Sequence, residues 1–528
     1  MTSVLFTNVR IIDGTGAQPY PGEVLVQGNR ISRVGRGPRS LPTAGVTVID
    51  GAGATLMPGL VEAHTHFSWN DAANLSDLQR LPLEEHVLWS ASVAKRYLEA
   101  GWTSCVGAAC AKPRLDVVTR NAINQGLIPG PRYLAASQEI TVVGGLGDET
   151  LPHLPFPEFS FGVAVTGPEE MRKVVRMFLK YGVDSIKLNL SGDNFMPSAP
   201  AGTTWMSDEE VAIAVKETKM RGKRVAAHAR SGESIKQCVR HGIEIIYHAS
   251  FADEEALDML EANRDKHFVA PGIGILVAML DHAAPWGITR QKAIEMGYEI
   301  ELAAAAESLR KMHKRGIRVL PGGDYGFAFT PHCQNAKDLE YFVKYVGMTP
   351  MEALLSATRY GGETVSELEH ALQCAELARE GAADEELQLA CLLHDVGRYA
   401  IDQSLVADTL EATRVGPSAR GHHELGADLL APWASERVAW CVRMHADAKR
   451  YLCATQPEYF DRLSPASRRT LRLQGGVMSP DHVARFAQHR WQGDAVALRR
   501  WDDEAKMVGR RTRSLDEWAP LVRRCVSR

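Results

Sequence analysis

At 528 residues, 45% hydrophobic and 23% charged with a formal net charge of −4, the chain is long enough for two or three separate cores. That balance excludes the basic surplus of a nucleic-acid binder and the acidic surplus of a disordered chain. Nine cysteines without paired spacing read as reduced thiols rather than a disulfide frame. Neither a signal peptide at the start nor an apolar run of about 18 residues is found. The expected setting is the cytoplasm, with small-molecule substrates, no membrane or nucleic-acid partner, and homo-oligomerisation through the first domain.

Residues 4–58 read as strands: Val4-Leu5-Phe6, Val9-Arg10-Ile11-Ile12, Glu23–Val26, Arg30–Val34 and Val46–Ile49, separated by turns such as Asp13-Gly14 and Gly28-Asn29. From about residue 59 to 330, short apolar runs alternate with amphipathic helical stretches. The strands of that pattern include Thr103–Val106, Ser185–Leu188, Arg224–Ala227, Ile243–Ile246 and Arg318–Leu320, and the alternation predicts a (β/α) barrel. From Thr364 onward the segments are helical, among them Glu367–Arg379, Glu385–Leu393 and Glu436–Leu452. Residues 1–363 hold 22 Arg and 15 Lys, whereas 364–528 hold 21 Arg and 2 Lys. A shift that large marks two segments with separate histories.

His64 and His66 close the run Pro58-Gly59-Leu60-Val61-Glu62-Ala63. Residues i and i+2 of a strand share a face, so both imidazoles can reach one metal. Lys187, His228, His248 and Asp324 each stand at the C-terminal end of a predicted strand, the rim where barrel enzymes place their chemistry. Over residues 1 to about 363 this set resembles the binuclear amidohydrolase superfamily. The resemblance implies an eight-stranded TIM-like barrel over 59–357, preceded by a partial β-sandwich over 1–58. It implies two divalent metals, zinc the expected ion, with His64, His66 and Asp324 on one, His228 and His248 on the other, and a carboxylated Lys187 between them. Asp324 would take the proton of the attacking water and pass it to the leaving group. The segments Ile186–Asp193 and Gly322–Gly326 look like the branch that includes Xaa-Pro dipeptidases, ochratoxin-type amidases, and phenylurea or thiocarbamate hydrolases. Leu146 stands where dipeptidase members carry histidine, which favours ureas, carbamates or bulky N-acyl substrates.

In the second segment His394-Asp395 follows an apolar helix, with His370 upstream and His422-His423, His445 and Asp502 downstream. Adjacent His and Asp can serve two metals at once. This order, with Tyr360-Gly361-Gly362-Glu363, Leu392–Gly397, Gly421–Ala427, His445–Tyr451 and Leu498–Asp503, resembles the mixed-valent di-iron oxygenases of the HD superfamily that cleave C–P bonds of hydroxylated aminoethylphosphonates. It covers residues 358–528 and implies an all-α HD domain. Its irons, Fe(II) and Fe(III), would be held by His370, His394, Asp395, His422, His445 and Asp502, with O2 as co-substrate; His423 and Asp503 are the competing neighbours. Tyr360 would cap one iron and Glu363 would face the substrate amine. Lys449, Ser467, Thr470 and Arg499 would meet the phosphonate, with Arg398 replacing a second histidine of the relatives. A metal-dependent phosphohydrolase fits the same ligands.

The changeover at Ala357–Glu363 fits both families at once, and the strands that complete the first family's sandwich after its barrel are missing. The chain thus reads as a chimera, natural or artefactual, with helix 350–359 serving as the first helix of the HD domain. One domain, or both, would then be an inactive scaffold or binding module if activity had been lost. The HD half is expected to be the more complete module.

Overall fold

The computed structural model describes residues 3–151, 153–154, 160–358, 367–399, 421–463, 471, 474–505, 510 and 512–526. The chain divides into two compact units, residues 1–362 and 363–528. Strand β1 (Ser3–Ile11) runs through both of the first two apolar runs as a single element. Asn8 takes a left-handed backbone with φ 51°, and the ladder shifts register between Phe6 and Val9. Asn tolerates that conformation, so a bulge replaces the expected break. With β2 (Tyr20–Gln27), β3 (Arg30–Arg36), β4 (Thr47–Asp50) and β5 (Thr55–Leu56) it forms one sheet in the order β3-β2-β1-β4, β5 also pairing with β1. Leu5, Leu25 and Leu41 are buried, whereas Ile31, Val34, Val48 and Ile49 on the flanking strands are 67, 49, 47 and 43% exposed. A second sheet facing this one is absent among the described residues.

The remaining strands of the first unit are parallel. β6 (Leu60–Thr65), β7 (Trp102–Gly107) and β8 (Arg132–Leu134) form one ladder. β9 (Ala136–Val142), β10 (Val163–Val165), β11 (Ser185–Asn189), β12 (Arg224–Ala229), β13 (Ile245–His248) and β14 (Phe268–Ala270) form another, in the order β10-β9-β11-β12-β13-β14. Residues 318–321 bond to both: Leu320 N–H donates to Val269 O at 2.9 Å, and Ala63 N–H donates to Pro321 O at 2.9 Å. A continuous eight-stranded ladder is not formed among the described residues. β11, β13 and β14 are buried at every residue, as parallel strands covered by helices must be.

Those helices begin and end where their sequence directs. Ser207 Oγ accepts from Glu210 N–H at 3.3 Å while Glu210 Oε2 accepts from Ser207 N–H at 2.9 Å, a capping box that starts helix Asp208–Lys219. Helices Gly167–Tyr181 and Gly232–His241 stop at Gly182 and Gly242, both left-handed. Glu217, 3% exposed, accepts from Arg172, Arg176 and Arg221 and ties Gly167–Tyr181 to Asp208–Lys219. The Arg176 hydrogen bond, with those of Arg221 and Arg172, outweighs burial and lowers the carboxyl from 4.5 to about 2. A depressed folded-state value stabilises the fold fully above the unfolded value and fails as pH falls through the folded one. Acid unfolding of Glu217→Gln, followed by circular dichroism, is therefore expected to be flatter than wild type between pH 4.5 and 2. Superimposable acid curves would reject the clasp.

The second unit is helical. Helix Glu436–Thr455 packs against Glu385–Leu393, His422–Leu430 and Gln492–Glu504, and Glu367–Glu380 packs against Glu385–Leu393 and Gln492–Glu504. Leu372, Ala375, Leu389, Val438, Val442, Leu498 and Trp518 form its core. Helix Pro350–Thr358 packs on β6 and on helix Lys337–Tyr341 within the first unit, burying Ala353 in that unit's core. This corrects its expected place as the first HD helix: its apolar face is already used. No described helix is long and apolar enough to cross a membrane.

Candidate metal centres

In the first unit, parallel register carries one polar residue after another to the same rim. Asn189 lies opposite His228 and Ala229 opposite His248, so Lys187, His228 and His248 arrive at the C-terminal ends of β11, β12 and β13. β6 delivers His64, with His66 just beyond it. His64, His66 and Asp324 form a buried cluster whose ligand atoms lie within 4.8 Å of one another. Asp324 Oδ1 is 3.0 Å from His66 Nε2 and 3.5 Å from His64 Nε2. The His228 and His248 ring centroids are 4.3 Å apart, and His248 is 5.2 Å from His64. Lys187 Nζ lies 3.7 Å from Glu139 Oε1.

Two of these residues sit in backbone that L-residues avoid: His248 at φ 72° and Asp324 at φ 64°. Such positions cost about 1–3 kcal/mol each and persist where the surroundings over-determine them. Gly272, itself at φ 64°, allows the approach of His248: a Cβ there would lie 2.6 Å from His248 Nδ1. Gly272→Ala is expected to displace His248 and lower the divalent metal bound by the first unit, measured by metal analysis. Unchanged stoichiometry would show that His248 is not a ligand.

Burial holds the His64, His228 and His248 imidazoles well below their usual range, which leaves lone pairs for a metal. Burial also lowers Lys187, outweighing the pull of Glu139 and Asp324. For Asp324 burial raises the carboxyl, but His64 and His66 outweigh it and hold it below the carboxylate range. His64 Nδ1 and His248 Nδ1 are buried without a hydrogen bond, at about 1–3 kcal/mol each, while His66 Nε2 and Asp324 Oδ1 face each other. A bound cation would relieve that cost, so the donor set fits a metal.

The second unit holds two further clusters, His370–His394–Asp502 and Asp395–His422–His445, each with ligand atoms within 4.8 Å. His370 Nε2 is 3.0 Å from Asp502 Oδ1, and His422 Nε2 is 3.0 Å from Asp395 Oδ1. His394 Nε2 and His370 Nε2 are 3.3 Å apart, and His422 Nε2 and His445 Nε2 are 3.1 Å apart. The ring Nδ1 atoms of His370, His394 and His445 lie 2.7, 2.8 and 2.7 Å from the carbonyls of Ala505, Cys391 and Val442. A carbonyl only accepts, so each Nδ1 donates and each Nε2 faces the cluster interior. Burial opposes protonation of His394, but Asp395 and Cys374 outweigh it and push it up to about 9. His445 is held down by burial and by His422 and His394. A cluster this rich in facing imidazoles and carboxylates fits two metals.

Of the neighbouring pairs, His422 and Asp502 join the clusters. Asp503 instead bonds Tyr459 and Arg499. Arg499 Nε donates to Tyr459 Oη at 3.0 Å, and its other nitrogens bond Asp502 and Asp503. Lys449 is buried one turn past His445. Tyr360, Glu363, Ser467 and Thr470 lie outside the described residues, as does the side chain of Arg398. Sequence reasoning missed Arg230, Glu301, Glu139 and Trp69. Arg230, two residues past His228 at the strand end, carried the period-2 signal that could have found it.

Residues 55–366 match the amidohydrolase family and residues 368–476 match the HD domain. Hydroxymethylphosphonate dioxygenase of Gimesia maris is 40% identical over 164 residues, 31% of this chain and 79% of that protein. [1-Hydroxy-2-(trimethylamino)ethyl]phosphonate dioxygenase (glycine-betaine-forming) of Leisingera caerulea is 38% identical over 171 residues, 32% and 83% of the two chains. A solved prolidase complexed with N-methylphosphonate-L-proline is 26% identical with TM-score 0.59, covering 68% of this chain and 86% of its own. The chain belongs to the amidohydrolase family through its first unit and carries in its second an HD domain whose relatives include two phosphonate dioxygenases.

Proposed function

We propose that the chain is a fusion of two metalloenzymes: an O2-dependent C–P cleaving HD domain, and a hydrolase of C–N bonds in amides, carbamates or ureas. The observation that carries the oxidative half is the pair of triads His370–His394–Asp502 and Asp395–His422–His445, joined through the adjacent residues His394 and Asp395. When bound there, two irons would supply activation of O2. The chain's part is ligation, charge matching and exclusion of water. Buried Lys449 offers an ammonium to a phosphonate dianion. Arg499, tied to Asp502 and Asp503, steadies the ligand helix as well as carrying positive charge. Tyr360, Glu363, Arg398, Ser467 and Thr470 take the roles that the relatives' likeness implies.

In the first unit the proposal is an eight-stranded barrel of β6, β7, β8 continued as β9 in one strand, β11, β12, β13, β14 and residues 318–321, supported by the bonds of 318–321 to β14 and to β6. Two divalent ions, zinc the expected pair, would activate water there. Asp324 would hold the proton removed from that water, and Lys187, carboxylated, would join His64, His66, His228 and His248 as a ligand. The domains would be 1–58, 59–357 and 358–528, in a cytoplasmic enzyme acting on small molecules.

The test is anaerobic iron loading of the full chain, followed by oxygen and a 1-hydroxy-2-aminoethylphosphonate. Stoichiometric phosphate release that requires O2 supports the reading. Phosphate release from a phosphomonoester without O2 overturns it in favour of a phosphohydrolase.

A further inference from the structure

A histidine that reaches for a metal needs its ring plane fixed, because the outer torsion of the side chain is broad and two-fold. A hydrogen bond from the second ring nitrogen ordinarily does this. In the first unit His66 Nδ1 donates to Ala109 O at 3.2 Å, and His228 Nε2 donates to Gly192 O at 3.0 Å. His248 has no such bond, but its left-handed backbone and the close approach of Gly272 confine it. His64 Nδ1 is buried without a hydrogen bond. What faces His64 instead is a ring: Tyr247, with centroids 4.0 Å apart and planes inclined by 25°. The other rings beside it, His66 and His248, are 5.1 and 5.2 Å away and belong to the ligand set themselves.

Strand β13 explains how the ring arrives there. Successive residues of a strand point to opposite sides, so Ile246 enters the large core while Ile245 and Tyr247 enter a separate cluster. That cluster includes Ala63, Ala108, Ala226 and Ala270, all fully buried. Four methyl side chains leave room for one large ring, and Tyr247, itself fully buried, fills it. Its hydroxyl is buried without a hydrogen bond, so what the site uses of this residue is the ring face and not the oxygen. Lys187 Nζ lies 5.0 Å from the same ring centroid, so the ring adjoins two side chains of the ligand set.

We propose that Tyr247 is a positioning residue for His64: its ring face holds the imidazole plane that keeps Nε2 turned to Asp324, 3.5 Å away. Stacking takes the place of the hydrogen bond that His66 and His228 make. The inference rests on the metal-centre reading above and is independent of the substrate. Tyr247 needs no contact with a metal or a reacting atom to act; it works through His64.

The experiment is zinc affinity, by competition with a chromophoric chelator, on the full chain carrying His394→Ala and Asp395→Ala so that the second unit's clusters do not compete. The visible spectrum of the cobalt-loaded chain reads the ligand geometry alongside it. Tyr247→Phe keeps the ring and should bind zinc as its parent does, with the same cobalt bands. Tyr247→Leu removes the ring and should bind zinc about 10–100-fold more weakly, the usual cost of losing a supporting side chain, with shifted bands. Tyr247→Met repeats that test should the leucine variant fold poorly by circular dichroism. Adding Tyr247→Leu to a His64→Ala chain should lower the affinity no further, because the ring acts through that imidazole. Parental affinity in the leucine and methionine variants, a loss in Tyr247→Phe as large as theirs, or additive losses with His64→Ala overturns the inference. A parent chain that binds no zinc would sink the metal-centre reading and the inference together. The expected losses in a chain that hydrolyses no amide, carbamate or urea would sink the hydrolase reading alone.

Discussion

Asp395→Ala is expected to abolish the proposed paired iron centre and to cut the proposed phosphate release from a hydroxylated aminoethylphosphonate by at least about 100-fold. That is the upper end of what losing a mere supporting side chain costs a metal site, and Asp395 stands closer than a support. Its Oδ1 lies 3.0 Å from His422 Nε2 and its Oδ2 lies 3.7 Å from His394 Nε2, so one carboxylate faces both clusters. Iron per chain should fall from two towards one or none, read by metal analysis and by loss of the mixed-valent magnetic signal. His423→Ala is the matched control, since His423 belongs to neither cluster; it should retain both irons. Equal iron loss in the two variants would mean that the triads are packing rather than ligation.

Arg230→Met should destabilise the first unit by about 3–5 kcal/mol, the cost of breaking a buried ion pair from one side. The side chain is 1% exposed, and its removal leaves Asp193 and Glu301 buried without the charge that pairs them. Arg230→Lys should recover part of the loss, because an ammonium lacks the planar fork that reaches both carboxylates. The triple variant Arg230→Met, Asp193→Asn, Glu301→Gln should be more stable than Arg230→Met alone, since the penalty belongs to the abandoned charges. The measurement is hydrogen exchange at β12 and β13 under denaturant. A shift below about 1 kcal/mol for Arg230→Met would place the trio in solvent.

How much of this was legible beforehand depended on the range of the interaction. His64 and His66 could be paired from text because a strand's pleat repeats every two residues, and Lys449 could be placed with His445 because a helix returns after four. The caps at Ser207, Asp384 and Ser435 are equally local: each side chain accepts from a backbone N–H three residues on. His422 against His423 was not decidable that way. Both fit the pattern, and only the seating of helix His422–Leu430 against Glu436–Thr455 turns His422 towards His445.

The sequence by itself therefore determined the two-part architecture, the change from strand–helix alternation to helices, and most of the polar residues that converge. It did so because period, capping and composition are properties of neighbours along the chain. Tertiary structure alone decided that Arg230 meets Glu301, 71 residues away, and that Trp69 stacks on His66. It also decided that helix Pro350–Thr358 belongs to the first unit. Those outcomes follow from close packing of distant segments, in which burial leaves a charge or a ring only the partners that the fold brings beside it.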